Sequence, residues 1–328
     1  MVIPVLLFLL GFALLIKGGD WFVDGAVGIA KKFHLPDLLI GATVVSIGTT
    51  LPEVMVSAGS AISGHGEIAY GNAIGSIICN TALIAAITIV VTPQIVNKKS
   101  FRMPVIFFFI AAAFYVFNAC VFGGFARWAG IVLLCIFIAY MAIQVRQAIK
   151  NPKPEAPEIN EEKDEDKKEK VHPLWLDIVL LVIGAAMIAV GADLLVDNGT
   201  IIAAAMGVPE SVIALTFVAL GTSLPELVTA ITSLVKKHGS LSLGNIIGAN
   251  FFNLVFVSGL SVTLNPFNLP QGKTLLGYNA SLLVDTPVML GVMLILTIPP
   301  LVKGKLSRVQ GIVLLILYAG FLVFQFLL

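Results

Sequence analysis

Long apolar stretches separated by short polar breaks run along almost the whole chain. Ten of them read as spans, near 2–23, 37–63, 67–92, 103–123, 126–148, 174–197, 209–235, 240–264, 279–302 and 309–327. Each is close to the roughly 20 residues a helix needs to cross about 30 Å of hydrocarbon. Strands of a membrane barrel would appear as alternating runs of about ten residues, and no such alternation is present. The pattern predicts an all-α membrane protein with ten transmembrane helices. The first apolar stretch, Met1 to Ile16, lacks a basic leader and a small-residue cleavage site, so it reads as the first span and not as a signal peptide.

Polar residues recur at a fixed offset. Adding 173 to positions in the first half lands on equivalent residues in the second: Asp20 on Asp193, Asp24 on Asp197, Pro36 on Pro209, Gly48 on Gly221, Glu53 on Glu226, His65 on His238, Asn72 on Asn245 and Asn80 on Asn253. General hydrophobicity would not align scarce polar residues in this way. The chain therefore divides into a five-helix unit over 1–150, a charged linker over 151–173 and a second five-helix unit over 174–328. Because five is odd, the second unit enters the membrane with reversed orientation, which gives two inverted repeats. That is a recurring architecture of secondary transporters.

Charge sets the orientation. If the N-terminus is outside, Lys31, Lys32, Lys98, Lys99, Arg102, Arg146, Lys150, Lys236, Lys237, Lys303, Lys305 and Arg308 all fall on the inner side, and the outer loops keep Arg127 and Lys273. This follows the positive-inside rule and places both termini outside and the linker in the cytoplasm. The linker, rich in Lys, Glu, Asp and Pro, cannot bury a core and is expected to be an aqueous tether. Composition agrees: 58% of the 328 residues are hydrophobic and 12% charged, with a mean hydropathy of +1.00, against roughly 25% charged in a soluble domain. The cysteines, Cys79, Cys120 and Cys135, show neither metal spacing nor a pairing pattern and read as small apolar packing residues.

Two stretches carry the candidate chemistry, Gly48-Thr49-Thr50-Leu51-Pro52-Glu53 and Gly221-Thr222-Ser223-Leu224-Pro225-Glu226. Each puts a carboxylate within an apolar run, at a cost of roughly 2.5–3.5 kcal/mol at the centre of a membrane helix. Pro52 and Pro225 lack an N–H and clash with the carbonyl four residues earlier, so both helices should bend and loosen the carbonyls near Gly48, Thr49, Gly221 and Thr222. Thr49 and Thr50 share a helical face with Glu53, as Thr222 and Ser223 do with Glu226. The donor set is all oxygen, which suits a hard cation. Calcium, with six to eight flexible oxygen ligands, fits better than magnesium, and zinc, copper and iron would want His or Cys. Glu53 and Glu226 are expected to face one another at mid-membrane and bind that cation. On the neighbouring helices Asn72, Ser76 and Asn80 form one stripe, with Asn245, Ala249 and Asn253 as partners. Gly71, Gly75, Gly244 and Gly248 should let helices approach closely.

These motifs, G-T-[ST]-L-P-E in each half followed by G-N-x-x-G, resemble the cation/calcium antiporter superfamily, specifically its short prokaryotic sodium/calcium exchangers, over nearly the whole chain. The resemblance implies two alpha-repeat motifs, near 40–81 and 213–254. It also implies Glu53 and Glu226 as ligands shared by calcium and sodium, with backbone oxygens of Thr49 and Thr222 completing the calcium site. Thr50, Ser223 and Ser76, with the carbonyls of Ser46 and Ala219, would serve sodium, and Asn80 and Asn253 would sit beside the central site. Two positions depart from some relatives: Asn253 stands where they have Asp, and Ala249 where they have Ser. The first argues against potassium dependence and the second touches one sodium position.

The implied activity is exchange of calcium for sodium across the cell membrane by alternating access. Calcium/proton exchange is the alternative, and an intramembrane enzyme or a cation channel are alternatives of other classes. No catalytic residue set and no cofactor is expected; calcium and sodium are cargo, the lipid bilayer is the other partner, no nucleic acid is involved, and the expected state is a monomer. Asp20, Asp24, Asp193 and Asp197 read as interfacial or packing groups. Asp285 reads as a vestibule residue or one past the end of its span. His65 and His238 read as solvated turn residues.

Overall fold

The computed structural model describes residues 2–150, 173–207, 221–271, 274–275 and 277–327. The linker over 151–172, the beginning of the seventh predicted span, Pro209, Ala219 and Lys273 lie outside the described residues.

Among the described residues eight helices are long and apolar enough to cross a membrane: α1 (Val2–Lys32), α4 (Gly66–Val91), α5 (Lys98–Phe122), α6 (Arg127–Lys150), α7 (Leu174–Ala205), α9 (Gly239–Leu264), α10 (Ser281–Lys303) and α11 (Arg308–Leu327). A ninth span is the bent pair α2 (Asp37–Thr49) and α3 (Leu51–Ile62), and α8 (Leu224–Val235) is a shorter apolar helix. The axes of α2 and α3 differ by 47° at the break around Thr50. The break sits where Pro52, in the first turn of α3, cannot donate to the carbonyl of Gly48. α8 begins with the matching Leu224-Pro225-Glu226.

Eight of the predicted spans are single apolar helices in the described residues and the second is a bent pair, while of the seventh α8 covers Leu224–Val235, with corrections at the ends and in the loops. α1 runs to Lys32 and α7 to Ala205, several residues past 23 and 197. The charges Asp20 and Asp24 lie within α1, and Lys236 Nζ lies 2.7 Å from Asp24 Oδ1 and 3.5 Å from Asp20 Oδ1. The fold is also not purely helical. Gly124–Phe125 (β1) pairs antiparallel with Phe267–Asn268 (β2), and Thr274–Leu275 (β3) with Tyr278–Asn279 (β4).

α4 and α9 form the centre: 72% and 83% of their apolar windows are buried, against 22% for α1 and 22% for α7. Around them Tyr70, Ile77, Phe101, Phe108, Tyr140, Phe251 and Phe252 belong to the main apolar core. α1 and α7 pack along one another through small residues. A Cβ on Gly11 would lie 2.8 Å from the carbonyl of Gly191, and one on Gly18 would lie 3.0 Å from that of Gly184. The contacts run in opposite chain order, so the two helices are antiparallel.

α2 lies against α9 at backbone distance. A side chain on Gly244 would strike the carbonyl of Leu38, and one on Gly248 would strike Ser46 Oγ and come within 2.7 Å of the Ala42 Cα. This is the close approach expected at Gly244 and Gly248. At Gly71 and Gly75 an added Cβ meets nothing within 4 Å among the described residues; the residues equivalent to Leu38, Ala42 and Ser46 are 211, 215 and 219, outside the described set.

Two turn residues are more engaged than their sequence setting suggests. His238 is not a free loop histidine: its Nδ1 lies 2.7 Å from Asp37 Oδ2, tying the start of α9 to the start of α2. Asp285 ends a π-helical turn that opens α10 and accepts a hydrogen bond from Gln325 Nε2 at 2.7 Å. Cys79 is buried, whereas Cys120 and Cys135 are exposed on helix surfaces.

Candidate metal centre

Glu53 and Glu226 are both completely buried, 0% exposed, and lie within electrostatic reach of one another. Each stands in the first turn after a break, Glu53 at the start of α3 and Glu226 at the start of α8. None of their four carboxylate oxygens has a hydrogen-bond partner among the described residues. The hydroxyls of Thr49 and Thr50 face Glu226 without closing hydrogen bonds to it.

The same orphaned state recurs in matched pairs. Thr50 and Ser223, which precede the two prolines, are buried with unpartnered hydroxyls. Asn80 and Asn253 are 0% exposed and both atoms of each carboxamide are unpartnered. Each asparagine opens a π-helical turn, Asn80–Ala85 in α4 and Asn253–Val257 in α9. Such turns widen a helix and redirect the side chain at the bulge, and they gather at functional sites. A buried polar atom without a partner costs about 1–3 kcal/mol, and these pairs together with the two buried carboxylates make a cradle whose oxygens could serve a cation as ligands.

Hydrogen bonds between the halves hold this cradle. Thr49 Oγ1 donates to Asn245 Oδ1 at 3.2 Å, and the equivalent Thr222 Oγ1 donates to Asn72 Oδ1 at 3.3 Å. Each threonine proton is thus directed to an asparagine of the opposite half. The Asn72 amide also donates to the Glu53 carbonyl at 3.2 Å and to Ser57 Oγ at 2.8 Å, which fixes the first turn of α3 against α4. Ser46 Oγ bridges towards the carbonyls of Gly41, at 2.6 Å, and Asn245, at 3.0 Å.

Of the predicted site residues, the structure gathers Glu53, Thr49, Thr50, Glu226, Thr222, Ser223, Asn80 and Asn253 around the two breaks and the two π-turns. Ser76 is buried one turn before Asn80 on α4. The carbonyl of Ser46 already accepts the Thr50 amide at 3.0 Å, which leaves it one further lone pair. Ala219 lies outside the described residues. Asn72 and Asn245 join helices and also orient the threonines. Cys79, which is buried, immediately precedes Asn80 on α4.

The donor chemistry is narrow. Among the described residues no group of three or more His, Cys, Asp or Glu comes together; the buried donors present are two carboxylates and neutral polar groups. This set suits calcium, which takes six to eight oxygens, and not the softer metals. The fold is that of a multi-pass membrane protein, and its buried oxygens are donors of the kind a hard cation could take. The chain matches the family model described as "Sodium/calcium exchanger protein" over residues 3–146 and 176–327, and it belongs to that family. It is 31% identical to the sodium/calcium exchanger MaX1 of Methanosarcina acetivorans, over 98% of each chain. It is 32% identical to the putative antiporter CaxA of Alkalimonas amylolytica, also over 98% of each. A solved structure of the sodium-calcium exchanger NCX_Mj, soaked with sodium and calcium, superposes with a TM-score of 0.78 at 32% identity, covering 97% of each chain. The protein is an ion-transporting antiporter of the membrane and not an enzyme.

Proposed function

We propose that this protein exchanges calcium for sodium across the cell membrane by alternating access, and that Glu53 and Glu226 bind the two ion species in competition. The observation that carries this reading is the set of buried, unpartnered oxygens on Glu53, Glu226, Thr50, Ser223, Asn80 and Asn253, arranged in pairs 173 positions apart. Backbone oxygens of Thr49 and Thr222 complete a calcium position. Thr50, Ser223, Ser76 and the carbonyls of Ser46 and Ala219 supply sodium positions. Both ions are cargo, and no resident cofactor takes part.

The architecture that serves this is ten helices in two inverted five-helix repeats, 1–150 and 174–328, joined by a cytoplasmic linker, with both termini outside and a monomer as the working unit. Support comes from the antiparallel packing of α1 on α7 and from the exchanged Thr49–Asn245 and Thr222–Asn72 hydrogen bonds. α1 and α7 are far less buried than the central α4 and α9 and would slide against the core those two form.

Two residues support a second reading, coupling to protons or another cation. Ala249 supplies no hydroxyl at the position matching Ser76, and Asn253 supplies no acid. One experiment separates the two. Vesicles loaded with sodium and diluted into sodium-free buffer should accumulate calcium-45 in proportion to the sodium gradient. Uptake that follows an imposed pH gradient and ignores sodium would replace sodium by protons, and sustained current without a counter-ion would indicate a channel.

A further inference from the structure

A second group of buried polar side chains lies beyond the carboxylate cradle. On α8, Glu226, Thr229 and Ser233 follow at i, i+3 and i+7, so they share one face, and all three are 0% exposed. On α9, Ser242 and Asn245 are spaced i, i+3 and are likewise completely buried. α8 and α9 form a tight hairpin that packs side against side. In the equivalent hairpin of the first half, Asn72 bonds Ser57 across the seam. The same register sets Ser242 opposite Ser233 and Asn245 opposite Ala230.

None of the hydroxyls of Thr229, Ser233 and Ser242, nor the amide nitrogen of Asn245, has a hydrogen-bond partner among the described residues. The file continues to Gln94. Its side chain rests on Gly239 at the start of α9, and its Oε1 is also buried and unpartnered. The first half differs: Ser60 matches Ser233, but Val56 and Ala69 occupy the positions of Thr229 and Ser242, and Ser57, which bonds the Asn72 amide, is matched by Ala230. Apolar residues of similar size would relieve several unmet hydrogen bonds at about 1–3 kcal/mol each. A row of such groups leading from an ion-binding carboxylate to one end of a hairpin has a use if water and ions fill it in another conformation.

We propose that this file is the wettable route by which hydrated monovalent and divalent cations pass between Glu226 and the membrane face that carries the Lys236–His238 turn. The route is shut in this structure. α1 covers its flank, with Gly19 against Val228 and Thr232, and Lys236 at its mouth is held by Asp24 at 2.7 Å and by the Asp20 carbonyl at 2.9 Å. The inference rests on Glu226 being an ion ligand. The hydroxyls exchange with the ion's own water shell, so they set the rate of passage and not the affinity of the central site.

Single cysteines at Thr229, Ser233 and Ser242 test this in sealed vesicles of known sidedness, with a membrane-impermeant, positively charged methanethiosulfonate reagent. The unsubstituted protein gives the background of the native cysteines, and Ile231→Cys, on the exposed side of α8, is the lipid-facing control. The three cysteines should react from the face of the Lys236–His238 turn alone, and saturating calcium should slow the reaction. In parallel, Thr229→Val and Ser233→Ala should leave equilibrium calcium-45 binding unchanged while maximal exchange falls about tenfold, the rate equivalent of losing one hydrogen bond to a charged species. Wild-type protein that exchanges normally while the three cysteines react no faster than Ile231→Cys under any ion condition overturns the route and spares the exchange reading. Wild-type exchange rates in both hydroxyl-less variants do the same. Wild-type protein that neither binds calcium nor exchanges it overturns both.

Discussion

Glu53→Gln and Glu226→Gln are each expected to abolish sodium-driven calcium uptake while leaving the protein folded. Glutamine keeps the size and shape of the side chain and removes one of the two negative charges in the cradle. A pair of unit charges about 4 Å apart is worth about 4 kcal/mol at an effective dielectric near 20, which is about a thousandfold in affinity. A divalent ion feels the loss more than sodium does, and exchange needs both. Stability of the ion-free protein should not fall, because two buried carboxylates without a counter-ion repel one another and the substitution relieves that. Calcium-45 uptake beside a thermal unfolding curve for each variant checks this. Normal uptake by either variant would remove that residue from the site.

The second large effect is expected at Gly248, where the obstacle is steric. Gly248→Val would drive a branched side chain into Ser46 Oγ and the Ala42 backbone, on the seam where α2 meets α9. Overpacking a close-packed seam costs typically 1–3 kcal/mol, and backbone neighbours cannot rotate away. The same seam carries the Ser46–Asn245 and Thr49–Asn245 hydrogen bonds, so prising it apart also displaces Thr49 from the cradle. The variant should lose most of its exchange and unfold at a lower temperature. Gly291→Ala is the control: an added Cβ there meets nothing within 4 Å among the described residues, and wild-type behaviour is expected. A Gly248→Val protein as stable and active as wild type would contradict the packing described for α2 and α9.

Much of this molecule is legible in its sequence because the bilayer restricts what apolar runs can do. A run of about 20 apolar residues must be a helix, since hydrocarbon offers no partner for unpaired backbone groups. Proline immediately before an acid marks both breaks, and the 173-residue offset pairs Glu53 with Glu226. Long-range pairing was not legible. Lys236 with Asp20 and Asp24, and His238 with Asp37, join residues more than 200 positions apart. Nothing in the local sequence marks β1 and β2 as partners, because two-residue strands carry no periodicity. The spacing of Glu226, Thr229 and Ser233 was readable, but that their hydroxyls stay unpartnered is a property of packing.

The central claim is that one cradle, framed by Glu53 and Glu226, holds calcium or sodium but not both species fully bound. Equilibrium calcium-45 binding to the purified protein, titrated with sodium, measures this most directly. The expected result is saturable calcium binding that sodium displaces, and that is lost when Glu53→Gln and Glu226→Gln are combined. Calcium binding that survives the double substitution, or that no concentration of sodium disturbs, would contradict it.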